Sequence, residues 1–502
     1  MGHARLGGRA ANSPEINRCW RLSAGPRSVP RAPEREGPTV HWRNVTTPDP
    51  IAFLHETTFA DLPLEVRHET ARCLVDLCGA VVAGHHTRLS GIVRDHVATV
   101  YGGDHATLLL DGRRVSAPGA ALATGMSIDA FDIHDSHRES LGHAGVHLFA
   151  AALAIAELRA SRGAPLPTGP EFMTAMAVGY DLACRAGEAL HGTVGDYHTS
   201  GAWGAVSAAG LYARFMGLDL AQTREAVGIA EYHGPRSQMM RCIDHPTMLK
   251  DGSGWGAMVG VEAGMLAESG FTGAPAVLIE GREAARWWQG LGSRWYVLEQ
   301  GFKAHGACWW AQPAIEAVLT LARDNALTSA DVAAIRIETF EKAVRLAHPE
   351  PTTTEQAQYS LPFPVAAALI KATTRQDSWY GLGPAELLEA SLMDPETRRL
   401  ARAVELVEAP DLTAAFPERF LARVSLTLTD GRTLISPNTT FRGDADDPFS
   451  DDEVSTKYRW LAGTLLSDER VAALEAAAWD IAEASSIEPL LDLLSTTPDR
   501  AI

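Results

Sequence analysis

The segment Ser253-Gly-Trp-Gly-Ala-Met-Val-Gly-Val-Glu-Ala-Gly-Met-Leu-Ala-Glu-Ser269 decides the fold class. Its small residues (Gly254, Gly256, Ala257, Gly260, Ala263, Gly264) let neighbouring backbones approach closely, which suits a helix at the centre of a bundle. The segments upstream read the same way. Gly201 to Met216 is a helix with Gly217 as its stop. Thr168-Gly-Pro-Glu opens another, with Pro170 placed for the first turn, and the apolar positions Met173, Met176, Val178 and Leu182 continue it. Val146 to Ser161 ends before Gly163, and Leu64 to Ala83 keeps its apolar residues on one face.

After about Lys303 the texture changes. Pro313 to Arg323 is still helical, but Val332-Ala-Ala-Ile-Arg-Ile-Glu-Thr alternates as a half-buried strand does. Ala422-Arg-Val-Ser-Leu-Thr-Leu-Thr alternates too, and Asp430-Gly431 leads into Arg432-Thr-Leu-Ile, which predicts a hairpin. Helices at Pro364–Ala372 and Pro384–Leu392 stand beside these strands, so the second region is α+β. Asp451 to Leu494 is helical again and suited to pack back on the first region.

The chain has 502 residues, long enough for two domains. A net charge of −18 argues against a nucleic-acid partner, because phosphate binding needs clustered Lys and Arg. It leaves room for an anionic substrate in a local cationic pocket. No apolar run reaches the roughly 18 residues of a transmembrane helix. Six cysteines (19, 73, 78, 184, 242, 308) lack paired spacing and predict buried thiols in a reducing, cytoplasmic setting. The first 40 residues hold seven Arg and three Glu without an apolar core. They predict a disordered extension over residues 1–45 rather than a signal peptide.

The densest polar cluster is Asp129-Ala-Phe-Asp132-Ile-His134-Asp135-Ser136-His137, followed by Ser140-Leu-Gly-His143-Ala-Gly-Val-His147. A helical reading puts Asp132 and Ser136 one turn apart on one face, with Gly142 and Gly145 then breaking the helix and leaving His143 on a loop. Three readings compete. The cluster can be an acid–base site, a metal site on His134, Asp135 and His137 in a metal-dependent hydrolase, or a solvated helix N-terminus with capping Asp and Ser. Other segments bear on the choice. Gly195-Asp-Tyr-His198-Thr-Ser-Gly201 precedes a helix N-terminus, a natural anion site. Lys250-Asp-Gly-Ser-Gly-Trp-Gly256 sets a lysine before a glycine-rich turn that is not a Walker loop. Gly301-Phe-Lys303-Ala-His305-Gly-Ala-Cys308 adds a second lysine, a histidine and a thiol. Together these suit a polycarboxylate pocket. Proton removal beside a carboxylate needs a positioned base and cations that stabilise the enolate-like charge.

The run from Asp129 to Gly145 resembles the ALDxDDTH…HPG signature of the 2-methylcitrate dehydratase (MmgE/PrpD) family. Further blocks agree in order: Tyr197-His-Thr-Ser-Gly, Lys250-Asp-Gly-Ser-Gly-Trp-Gly-Ala-Met, Gly270-Phe-Thr-Gly-Ala-Pro with Leu278-Ile-Glu-Gly, and Phe302-Lys…Cys308 with Tyr359-Ser-Leu-Pro-Phe-Pro-Val-Ala beyond. The resemblance implies a mainly α fold: a large all-helical domain (46–305, completed by 452–500) plus a smaller α+β lid domain (306–451). It also implies a homodimer that works without metal or organic cofactor. The catalytic positions so implied are Asp132, Ser136 (Thr in many members), His143 and His198, and the substrate-binding positions are Lys250, Lys303, His137 and Tyr359. The activity implied first is elimination of water from a 2-methylcitrate-like polycarboxylate, with epimerisation or decarboxylation of an iminodisuccinate- or cis-aconitate-like acid as alternatives. Two positions depart from the signature: His134 stands for an Asp, and Ala144 for the Pro after the key histidine.

Overall fold

The computed structural model describes residues 49–374 and 378–501, and the disordered extension expected over 1–45 lies outside the described residues. The helices that frame the site are α1 (Leu64–His85), α2 (Ala117–Ala130), α3 (Gly145–Ser161), α4 (Gly169–Thr193), α5 (Gly201–Met216), α6 (Leu220–His233) and α7 (Ser253–Glu268). Helix α4 opens at Thr168-Gly-Pro-Glu as expected, with Pro170 in its first turn, on a capping box in which Thr168 and Glu171 exchange bonds with each other's backbone. Gly217 closes α5 in the left-handed conformation that glycine tolerates best.

Helix α7 packs against α2, α3, α5 and α6, so the small-residue helix is the centre of the bundle. The reason is contact distance. A Cβ on Gly254 would meet the Leu122 carbonyl oxygen at 2.6 Å, and one on Gly125 would meet the Gly254 Cα at 2.7 Å. Only glycine allows α2 and α7 to run that close. Helices α2, α3 and α5 are buried nearly all round, which explains why they lack the one-sided apolar stripe of a surface helix.

The α+β part begins with α8 (Gln312–Asp324), whose apolar face covers a four-stranded sheet. After the short ribbon β1 (Ala106–Thr107) and β2 (Arg114–Val115), the sheet strands are β3 (Val332–Thr339), β4 (Val404–Glu408), β5 (Ala422–Leu428) and β6 (Thr433–Ile435), in the order β4-β3-β5-β6. Ile335 pairs with Val404 in the parallel β3–β4 ladder and with Leu426 in the antiparallel β3–β5 ladder. The hairpin β5–β6 turns through Asp430 and Gly431, with Gly431 at φ 87°. Strand β4 was not foreseen; it is short and only partly buried, so its sequence carries little apolar alternation. Helix α9 spans Pro362–Thr374. The helix expected over Pro384–Leu392 stops at Leu387, because Leu388 turns extended at ψ 160°. The C-terminal run divides into α10 (Asp451–Ala462), α11 (Asp468–Trp479) and α12 (Glu488–Ser495), and α10 and α11 pack on α1. Among the described residues no helix is long and apolar enough to cross a membrane.

Candidate active site

The helical reading of Asp129–His137 is corrected at its second half. Helix α2 ends at Ala130 and Phe131 is extended. The side-chain amide of Gln358 accounts for the stop: its Nε2 donates to the Ala130 carbonyl (3.0 Å) while its Oε1 accepts from the Asp132 N–H (3.0 Å). The chain beyond is irregular but held. Ser136 exchanges both backbone bonds with Gly301 (2.9 and 2.8 Å). Lys457 of α10 reaches in with its ammonium, donating to Asp76 (2.6 Å) and to the Ile133 carbonyl (2.8 Å).

This scaffold gathers Asp132 and His143 in one narrow cleft with Tyr197, Cys308 and Tyr359, roofed by Met239, Trp310 and Phe420. The space left is about 30 Å³, room for little more than a water molecule. Two residues beside the cleft, Leu141 (φ 54°) and Lys250 (φ 50°), hold left-handed backbone. Non-glycine residues occupy that region at a cost of about 1–3 kcal/mol, and such strain concentrates at functional sites.

His143 is tightly oriented. Its backbone N–H donates to Ser200 Oγ (3.0 Å), and Ser200 is in turn bonded to the Asp251 carboxyl. Its Nδ1 lies 2.9 Å from both Ser136 Oγ and the Asp135 carbonyl oxygen. A carbonyl only accepts, so Nδ1 carries the proton and the Nε2 lone pair faces Asp132, 3.9 Å away. Burial lowers the His143 pKa to about 3, with Lys303 pushing the same way and Asp132 opposing. The free ring is therefore neutral at physiological pH and able to accept a proton.

Asp132 is ion-paired to the buried Lys303 ammonium. Burial would raise its pKa, but Lys303 and Lys250 outweigh that and hold it far below the ordinary carboxylate range. Lys250 donates to Gln358 Oε1 (2.7 Å) and stands 4.6 Å over the Tyr359 ring. Gln358 thus ties the Asp132 backbone to Lys250. Nearby, burial lifts Asp251 to about 8, helped by Asp129, and lifts Asp135 to about 7, helped by Asp76. Asp135 accepts from the Tyr180 hydroxyl (2.8 Å) and the Gly145 N–H (3.1 Å), seating the start of α3.

Among the residues singled out in the sequence, Asp132, Ser136, His143, Lys250, Lys303 and Tyr359 come together. His137 does not join them: it faces Glu139 (3.5 Å) and Glu299 (3.3 Å). His134, Asp135 and His137 therefore do not converge on a common point as a metal site requires. Among the described residues, His137, Glu139 and Glu299 form the group whose ligand atoms lie close enough to share an ion, but Arg294 already holds Glu299 through two bonds (2.7 and 2.8 Å). His198 is partly buried beside His191, to which its N–H donates (3.3 Å), and its ring does not line the cleft. Cys308 lines the cleft, but burial lifts its thiol to about 12, so it is no ready nucleophile. His305 is turned away onto Glu316 (3.2 Å).

Two family models match the chain: the MmgE/PrpD N-terminal domain over residues 51–291 and the MmgE/PrpD C-terminal domain over residues 305–481. The chain belongs to the MmgE/PrpD family. Its relatives include a cis-aconitate decarboxylase of Aspergillus terreus, 24% identical over 417 residues (76% of this chain, 82% of the relative). The human cis-aconitate decarboxylase is 24% identical over 446 residues (84% and 88%). A cis-aconitate decarboxylase-like protein of Aspergillus oryzae is 23% identical over 479 residues (87% and 94%). These relatives are lyases by name.

In this MmgE/PrpD chain both matched regions build the cleft. The first supplies Asp132, His143 and Tyr197 to its lining and the second Cys308 and Tyr359. Behind the lining Lys250 of the first region bonds Gln358 of the second, and Lys303, between the two, pairs with Asp132. Sequence reasoning missed Gln358, Ser200 and Asp251. Ser200 and Asp251 lie inside quoted blocks, but read there as a cap and a turn. Gln358 precedes Tyr359 with nothing local to mark it.

Proposed function

We propose that the protein is a lyase that decarboxylates a small unsaturated polycarboxylate of the cis-aconitate class, using its own side chains for proton transfer. The observation that supports this is a neutral His143 and an ionised Asp132 lining one narrow cleft, backed by the buried ammonium groups of Lys303 on Asp132 and Lys250 on Gln358 and the Tyr359 ring. The two lysines supply counter-charge for substrate carboxylates and for the negative charge that develops as CO2 departs. A bound polyanion also favours the protonated form of His143, so the ring that is neutral in the free protein becomes a proton donor once substrate is seated. In the reaction, the electron pair of the breaking C–CO2 bond forms the new C=C bond, and the proton from His143 goes to the carbon at the far end of the shifted double bond. A cleft of this size must part to admit a substrate and then closes out water.

Dehydration of a 2-methylcitrate-like acid and epimerisation of an iminodisuccinate-like one draw on the same proton transfer. The His134 and Ala144 departures from the family signature favour testing them alongside. The test is turnover of a di- and tricarboxylate panel followed by proton NMR in heavy water. Loss of CO2 with one deuterium gained supports decarboxylation, while elimination of water or exchange alone reassigns the product. No turnover across the panel refutes the lyase reading. We further propose a cytoplasmic homodimer, for which the exposed apolar residues Trp255, Leu266 and Phe271 on and after α7 offer a face.

A further inference from the structure

His134 has no role in the reaction just described, yet its side chain is wholly buried at the centre of the site. It meets the His143 ring edge-on, with centroids 4.6 Å apart and planes at 79°. Its Nδ1 is 3.3 Å from the Asp135 carbonyl oxygen, the same atom that takes the His143 Nδ1 proton at 2.9 Å. One acceptor therefore fixes both rings in the same tautomer, with lone pairs at Nε2. Those two Nε2 atoms lie 4.0 and 3.9 Å from a single oxygen of Asp132. His134 Nε2 has no hydrogen-bond partner among the described residues, an unusual state for a buried nitrogen.

We propose that His134 is a positioning residue for His143: a neutral imidazole, wedged between the His143 ring, Asp132 and the Asp135 carbonyl, that holds Nε2 of His143 toward Asp132 and keeps a second negative charge off that ring. The inference rests on reading His143 as the proton-transfer group. The charged and titratable groups facing the pair are Asp132 and Asp135 from the same segment, Lys303 from the segment after Gly301, and His147 from α3. Lys250 acts on Asp132 from the turn before α7, and Tyr180 of α4 is bonded to Asp135. Burial and then His143 and Lys303 hold the His134 ring neutral, against the pull of Asp132. A carboxylate in its place would sit against His143 and favour the imidazolium.

The test is ¹⁵N NMR of the full chain labelled at histidine, titrated between pH 4 and 9 without substrate, with His143 assigned by His143→Asn. In the parent protein His143 should be a single neutral tautomer protonated at Nδ1. In the parent the His143 midpoint lies below this window. His134→Asp should raise it by about 1–3 pH units, the range for a new opposite charge in contact, and so bring it into the window. His134→Asn, which removes the ring without adding charge, should leave that midpoint in place but split the His143 signal into two tautomers. A folded His134→Asp protein with an unmoved midpoint, or a parent His143 protonated at Nε2, overturns the proposal. If His134→Asp does not fold, His134→Asn decides, and an unchanged single tautomer overturns it. Because no substrate is present, this outcome is independent of whether the panel above shows turnover. Where turnover exists, His134→Asn should lower kcat about tenfold or more with KM little changed.

Discussion

Removing the charge of Lys303 probes the pair on which the site is built. The Lys303 ammonium and the Asp132 carboxylate are both buried, in direct contact, and Lys303 also points at the Asp132 carbonyl oxygen at 3.4 Å. Deleting one member of a buried pair strands the other, at about 3–5 kcal/mol, whereas replacing both with neutral groups is close to neutral. Lys303→Met and Asp132→Asn should each lose stability on that scale, and the double variant should lose much less than their sum. The pH dependence follows from the Asp132 shift. Its carboxyl is held below the ordinary range with Lys303 present, so its contribution is complete above the unfolded value near 4 and is lost as pH falls through the folded value. In Lys303→Met the counter-charge is gone and burial favours the protonated acid. The deficit against the parent should therefore be largest near pH 7 and shrink toward pH 4. Urea unfolding followed by circular dichroism at pH 4, 5.5 and 7 measures it. A deficit below about 1 kcal/mol at pH 7, the scale of an exposed pair, or additive single variants, would refute the reasoning.

His143→Ala should cut turnover at least about a hundredfold, the usual scale for a general acid–base residue, with steady-state rates on the best substrate as the check. Asp251, with its pKa raised to about 8, is protonated in the fold at neutral pH. Its contribution is complete below the unfolded value near 4 and declines as pH rises through 8. Asp251→Asn should flatten the stability profile between pH 5 and 8 by up to about 1.4 kcal/mol per pH unit, and an unchanged slope in urea titrations would remove Asp251 from the account. A Cβ on Gly142 would overlap Ser200 Oγ and come 2.9 Å from the Trp203 ring. Gly142→Ala should displace the His143 loop, costing about 1–3 kcal/mol in melting experiments and lowering kcat more than it raises KM. Gln358→Leu removes the link between Asp132 and Lys250 and should raise KM while leaving the fold's circular dichroism intact.

The sequence legibly carried whatever depends on local periodicity and caps. Pro170 in a first turn, Gly217 after Met216 and the Asp430-Gly431 turn each fix the backbone within a few residues, and the structure places them as read. The path of Asp132–His143 was not legible, because a partner 226 residues away ends α2: Gln358 captures the Asp132 N–H and the Ala130 carbonyl. The same limit applies to Ser200 and Asp251, whose hold on His143 exists only when α5 and the turn before α7 meet. His137 and His198 shared a motif with true neighbours of the cleft but face elsewhere, since side chains one or two residues apart in irregular chain can point to different surroundings. The lysines were legible as cations, though only the fold shows that Lys303 stands on Asp132 and Lys250 on Gln358 and Tyr359.

The most direct test of the central claim is proton NMR of the purified protein with cis-aconitate in heavy water, run beside His143→Ala. The parent should give a decarboxylated product carrying one new deuterium, and the variant a rate at least about a hundredfold lower. Equal rates in the two proteins, or an intact substrate in both while the panel yields no other product, would contradict it.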